Sequence, residues 1–99
     1  MNDDGTTSTV SAEERWYRSL HVAETRDGLS TVVLELTSYS AQPLLLDGTA
    51  QDVWHLVDGR TATEIIATLS AQYDVPSTEI DQPVREFLSQ LLELGLVSR

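Results

Sequence analysis

Residues 42–61 read QPLLLDGTAQDVWHLVDGRT, and the fold turns on this stretch because an extended segment gives way to a helix inside it. Gln42–Leu46 has the look of a strand, with Pro43 within it. Proline has no amide hydrogen for a ladder, so such a strand belongs at a sheet edge. Asp47-Gly48-Thr49 stops the strand, and Thr49 with Asp52 three residues on suits a helix N-terminus. Ala50, Val53, Trp54 and Val57 then recur at i, i+3, i+4 and i+7, a single apolar stripe. Asp58-Gly59 closes that helix, and Thr61 with Glu64 has the spacing of a capping box for the next one.

Upstream, the pattern is extended. Leu20–Glu24 leads into Arg26-Asp27-Gly28, a hairpin turn signal. Leu29–Thr37 alternates, with Val32, Leu34 and Leu36 on one face and Val33, Glu35 and Thr37 on the other. Ser38-Tyr39-Ser40 then connects to the edge strand, which completes a three-stranded antiparallel meander. Residues 1–11 (MNDDGTTSTVS) have no apolar periodicity and read as a flexible tail. Residues 12–18 are expected to form a short helical turn whose Trp16 and Tyr17 pack on the body as a flap. The domain proper is therefore expected over residues 19–97.

Downstream, the pattern is helical. The second helix turns Ala62, Ile65, Ile66, Leu69 and Tyr73 inward. A third begins at Ser77 or Thr78, and Pro83 predicts a break followed by a restart capped by Asp81. Beyond it Val84, Phe87, Leu88, Leu91, Leu92 and Leu94 span an arc wider than one core stripe needs. Gly95 ends the helix, and Leu96 and Val97 fold back onto it. The class is α+β: a three-stranded antiparallel sheet followed by three helices.

Composition removes several functions. The 99 residues contain no cysteine, and His21 and His55 match no metal-ligand spacing, so neither a metal nor another cofactor is expected. The longest apolar runs are three residues, which excludes a membrane span, and the acidic start is unlike a signal peptide; a cytoplasmic protein is expected. The formal net charge is −10, with 16 acidic residues against 6 arginines and no lysine. The arginines are scattered, and the second helix (Ala62–Asp74) has none, so a nucleic-acid-reading helix is not expected. No nucleophile elbow or glycine-rich phosphate loop is present, and turn and cap roles account for Asp47, Asp52 and Asp58. The chain is read as a non-enzyme.

An edge strand carrying Leu44-Leu45-Leu46 beside an over-wide apolar helix calls for an occupant. A peptide joining the sheet as a further strand meets that need, and packing of the shoulder against the N-terminal segment or a second copy is the alternative. The expected peptide-binding residues are Pro43, Leu44, Leu45 and Leu46 on the strand and Val84, Arg85, Leu88 and Leu92 on the helix. Arg85 is expected to meet an acidic residue of the peptide.

These segments also carry a likeness. Leu44–Ala50, Val53–Thr61, Glu64-Ile65-Ile66, Leu69, Phe87-Leu88, Leu91 and Gly95-Leu96-Val97 together resemble the PqqD-like family, the recognition elements of ribosomally made, post-translationally modified peptides. A separate acidic chain of this length is similar to the recognition proteins of lasso peptide clusters. The resemblance implies a winged-helix-like fold and a leader peptide paired antiparallel with the third strand and lying against the third helix. It also implies two partners, a cysteine-type leader peptidase and an ATP-dependent macrolactam synthetase. A peptide carrier for a radical enzyme of cofactor biosynthesis, and a winged-helix nucleic-acid binder, are the alternatives.

Overall fold

Gly28, at φ 61°, turns a hairpin that a residue with a side chain would strain. It joins β2 (Val22–Asp27) to β3 (Ser30–Glu35), and β4 (Leu44–Asp47) completes an antiparallel sheet in the order β2-β3-β4. This computed structural model describes residues 13–28 and 30–99; the expected tail over residues 1–11, together with Ala12 and Leu29, lies outside them. The helices follow as α1 (Thr49–Leu56), α2 (Ala62–Tyr73) and α3 (Ser77–Glu93).

A second small sheet, which the sequence did not announce, ties the ends of the chain together. Residues 15–18 are not a helical turn but a strand, β1 (Arg15–Arg18), placed between β5 (Asp58–Thr61) and β6 (Val97–Ser98). Asp58-Gly59 therefore starts a strand rather than only closing α1. Trp16 is buried, as a packing flap requires, while Tyr17 stays half exposed. The Ser19 amide donates to Leu96 O at 3.0 Å and its hydroxyl to Gly95 O at 2.8 Å, fastening the N-terminal strand to the C-terminal turn. That turn is a glycine cap: Leu96 N–H reaches Leu91 O and Gly95 N–H reaches Leu92 O, both at 3.0 Å.

At the helix starts, the capping box of α2 agrees with the sequence, while α1 and the proline of α3 depart from it. Thr61 Oγ1 accepts from Glu64 N–H at 3.1 Å while Glu64 Oε1 accepts from Thr61 N–H at 2.9 Å, a complete capping box. Helix α1 instead starts after Gly48 without a side-chain cap. Its Asp52 accepts hydrogen bonds from the Tyr73 hydroxyl and from Gln72 Nε2, binding α1 to α2. Tyr73 is thereby drawn to the surface, off the expected inner face. Helix α3 runs unbroken through Pro83, with no restart at Asp81, which pairs with Arg85 one turn on. An internal proline costs a helix about 3 kcal/mol. Burial of Val84, Leu88 and Leu91 on the same helix, each contributing about 1.5–3 kcal/mol, outweighs that cost.

The sheet lays Thr31 and Val33 inward, both fully buried, and turns the more apolar set, Val32, Leu34 and Leu36, outward. Polar groups on the inner face find partners on α1. Thr31 Oγ1 donates to Gln51 Oε1 at 2.6 Å, and Trp54 Nε1 donates to Glu24 Oε1 at 3.0 Å. Burial pushes the Glu24 carboxyl up, but the bond from Trp54 and the neighbouring Arg26 outweigh it and hold it below its ordinary value. A carboxylate with a depressed folded-state pKa stabilises the fold above its unfolded-state value and loses that contribution as pH falls through the folded one. Burial together with Arg26 lowers the His55 imidazole, against the pull of Glu24, so protonating it at low pH works in the same direction. Glu24→Gln is expected to flatten the fall of the melting temperature through the acid carboxylate range. An acid limb as steep as that of the unmodified chain, in thermal melts from neutral pH downward, refutes the assignment.

Candidate functional site

Backbone direction on β4 follows from the hairpin. Leu36 N–H donates to His21 O at 2.8 Å, and the ladder continues in register to Asp27 opposite Ser30. Hydrogen-bonded pairs alternate in an antiparallel sheet, so Ser30, Val32 and Leu34 bond toward β2, and Thr31 and Val33 bond toward β4. Their partners there are Leu46 and Leu44. The amide and carbonyl of Leu45 therefore point to the open side of the sheet, because β4 is an edge. Pro43 stands just before the strand, and the same alternation puts its missing donor outward, where no ladder bond is lost. Side chains alternate as well: Leu46 enters the core, Leu44 is half-buried and Leu45 is 60% exposed.

Helix α3 forms the other bank. Pro83 and Phe87 face Ala50 and Val53 of α1 across an apolar trough of 160 Å³, with Ile80 and Val84 in its lining. Further along, Leu94 and Glu93 face Pro43, Leu44 and Glu35 across a wider opening of 480 Å³. The start of β4 thus lies by the end of α3, and the start of α1 lies by the first turns of α3. Strand and helix thus run in opposite directions, with the apolar trough between α1 and α3 at one end and the wider opening between β4 and α3 at the other. Leu94 is 56% exposed beside it, an apolar side chain without cover. Among the described residues no group of three His, Asp or Glu side chains is placed to hold a metal ion, and no helix is long and apolar enough to cross a membrane.

Residues 31–97, from β3 to β6, match the family model described as Coenzyme PQQ synthesis protein D (PqqD). The chain belongs to the PqqD family. No curated protein matches it. Among solved structures it is similar to "TbiB1 in Complex with the TbiA(beta) Leader Peptide", at 24% identity and a TM-score of 0.74, over 83% of this chain and 94% of that one. At that identity the likeness is one of fold: antiparallel strands with three helices. The match to the PqqD model takes in β4, α1 and α3.

On this PqqD frame, Pro43, Leu44, Leu45 and Leu46 follow one another along the edge segment, with the Leu46 side chain in the core, while Val84, itself almost fully buried, lines the trough between α1 and α3. Leu88 does not join them, being fully buried in the core. Arg85 and Leu92 lie on the far shoulder of α3, Leu92 roughly 140° around the helix from Phe87. Arg85 bonds internally there: its guanidinium reaches Asp81 at 3.0 Å, Thr63 Oγ1 at 3.2 Å and Glu13 at 3.5 Å. Glu13 in turn accepts from Thr63 N–H at 3.1 Å, a carboxylate at the N-terminus of α2. Arg85, expected to meet an acidic residue of the peptide, is thus already paired with acidic residues of its own chain. Sequence reasoning left out Ala50, Val53, Ile80, Pro83, Phe87 and Leu94. A usable signal is the Asp81–Arg85 pair, which marks the Leu92 shoulder as polar, whereas Pro83, Phe87 and Leu94 lie on the opposite, apolar shoulder.

Proposed function

We propose that this chain binds the leader region of a ribosomally synthesised precursor peptide, as a fourth strand on β4, and presents it to the enzymes that process the precursor. The observation that carries the reading is the unpaired backbone of Leu45 beside an apolar trough. Main-chain bonds to an edge contribute affinity with little sequence preference, each about 0.5–1.5 kcal/mol net, and pockets for alternate side chains add selectivity. Here Pro83, Phe87 and Val84 line such a pocket. The printed partner of TbiB1, a leader peptide, supports the same reading.

In its finer form the precursor is a lasso peptide, and the partners are a cysteine-type leader peptidase and an ATP-dependent macrolactam synthetase in the cytoplasm. The chain contributes substrate binding and no bond-making group of its own. It therefore lowers a partner peptidase's KM for precursor and leaves kcat nearly unchanged. The family's description favours a second reading, in which the same edge carries a peptide to a radical enzyme of cofactor biosynthesis. Calorimetric titration with leader peptides of both precursor types separates the two: saturable one-to-one binding identifies the right one. If neither leader binds, or if the isolated chain cleaves or cyclises a precursor, the proposal fails.

A further inference from the structure

The wider opening beside Pro43 is acidic, and no arginine reaches it among the described residues; the nearest titratable cation is His21, whose charge acts on Glu35 only when the imidazole is protonated. Each of the six arginines is engaged elsewhere. Arg15, Arg26, Arg85 and Arg99 pair with Glu64, Glu24, Asp81 and Glu13, and Glu14 respectively. Arg18 lies 6.0 Å from the Trp54 ring, and Arg60 donates to Leu56 O at 3.2 Å. Glu35 and Glu93 both line the wider opening by Pro43 and Leu94, and no arginine lies within ion-pair distance of either among the described residues. Glu35 accepts from Thr37 N–H at 3.0 Å and from the Thr37 hydroxyl, neutral donors that orient the carboxylate and leave its charge uncancelled. Those bonds, the hydroxyl's foremost, hold its carboxyl below the ordinary range. Of the acids at the other end of β4, Asp47 falls on the outer sheet face by register and Asp52 is bonded to Tyr73 and Gln72.

Direction along the trough turns this charge into a statement about sequence. A strand added antiparallel to β4 enters beside the first turns of α3 and leaves beside Pro43. Its N-terminal half therefore crosses the apolar pocket of Phe87 and Pro83, and its C-terminal end arrives between Glu35 and Glu93. We infer that this groove selects a cationic strand, with apolar side chains at alternate positions followed, toward its C-terminus, by an arginine or lysine seated between Glu35 and Glu93. The inference rests on the peptide-binding reading above and adds the charge and polarity of the ligand. It reverses the expectation of an acidic peptide residue meeting Arg85. An arginine suits the site best, since its planar fork can serve two carboxylates at once.

Panning a random dodecapeptide display library on the full chain, and in parallel on the Glu35→Gln/Glu93→Gln double variant, tests this directly. Both replacements keep side-chain shape, and circular dichroism melts verify that the variant folds. The chain is expected to enrich peptides with a basic residue C-terminal to an apolar alternation, and the variant to lose that basic preference. A selected peptide, titrated at low salt, should bind the variant about fivefold more weakly, with the gap closing at high salt. Enrichment without a basic residue, with the basic residue on the N-terminal side, or with an unchanged preference on the variant overturns the inference and leaves peptide binding standing. The last of these outcomes is what diffuse attraction to a chain of net charge −10 gives, because the variant removes only two of its carboxylates. Failure to enrich any peptide overturns the peptide-binding reading itself, and this inference with it.

Discussion

Leu45→Pro is expected to leave a folded domain that no longer holds a peptide, while Leu44→Pro, one residue away, is expected to damage the fold. The two positions differ only in which way their backbone looks. At Leu44 the amide faces Val33 of β3, so proline removes an internal ladder donor and strands a buried carbonyl, a loss of about 1–3 kcal/mol. The displaced half-buried side chain adds to it. At Leu45 the amide faces the open side, where a peptide strand supplies the acceptor, and proline both deletes that donor and blocks close approach. In hydrogen exchange the free protein should already protect Leu44 and Leu46, and added leader should slow exchange at Leu45. A folded Leu45→Pro variant with unchanged affinity means that the peptide does not join this edge, and that α3 binds it alone.

How far the sequence discloses this arrangement depends on how local each determinant is. The Thr61–Glu64 capping box and the Gly95 turn involve residues a few positions apart, and both form as read. The meander is legible because its alternation and its turn glycine are also local. The second sheet is not, since β1, β5 and β6 are two to four residues long and join positions 15–18 to 58–61 and 97–98. Segments so short show no periodicity, and only tertiary contact makes them strands. Alternation on β3 separates its two faces but leaves open which one is buried, and the less apolar face lies inward, where Gln51 satisfies Thr31. Pro83 departs from its local rule for the same kind of reason: a longer apolar stripe holds the helix together through it.

The site shows the same division. Its strand half rests on Pro43 and parity, which sequence supplies; its helix half rests on which shoulder of α3 turns to β4, which sequence does not. Three alanine variants on that helix read the shoulders separately. Leu91 is fully buried, and Leu91→Ala should destabilise the fold by about 2–5 kcal/mol. For a domain of this size, that lowers the melting temperature by more than about 10 °C. Phe87 is half-buried on the trough side, so Phe87→Ala should shift the melting temperature far less. It removes the aromatic wall of the proposed peptide pocket, and affinity should fall about tenfold or more, as burial of one large side chain is worth about 1.5–3 kcal/mol. Leu92 sits on the far shoulder, with Arg85 and the Glu13 network beyond it, so Leu92→Ala should leave affinity unchanged whatever it does to stability. The comparison separates the shoulders because all three side chains are apolar neighbours on one helix that point in different directions. Loss of affinity in Leu92→Ala, with Phe87→Ala binding normally, puts the peptide on the other bank of α3. In that case the open backbone of Leu45 needs a different occupant.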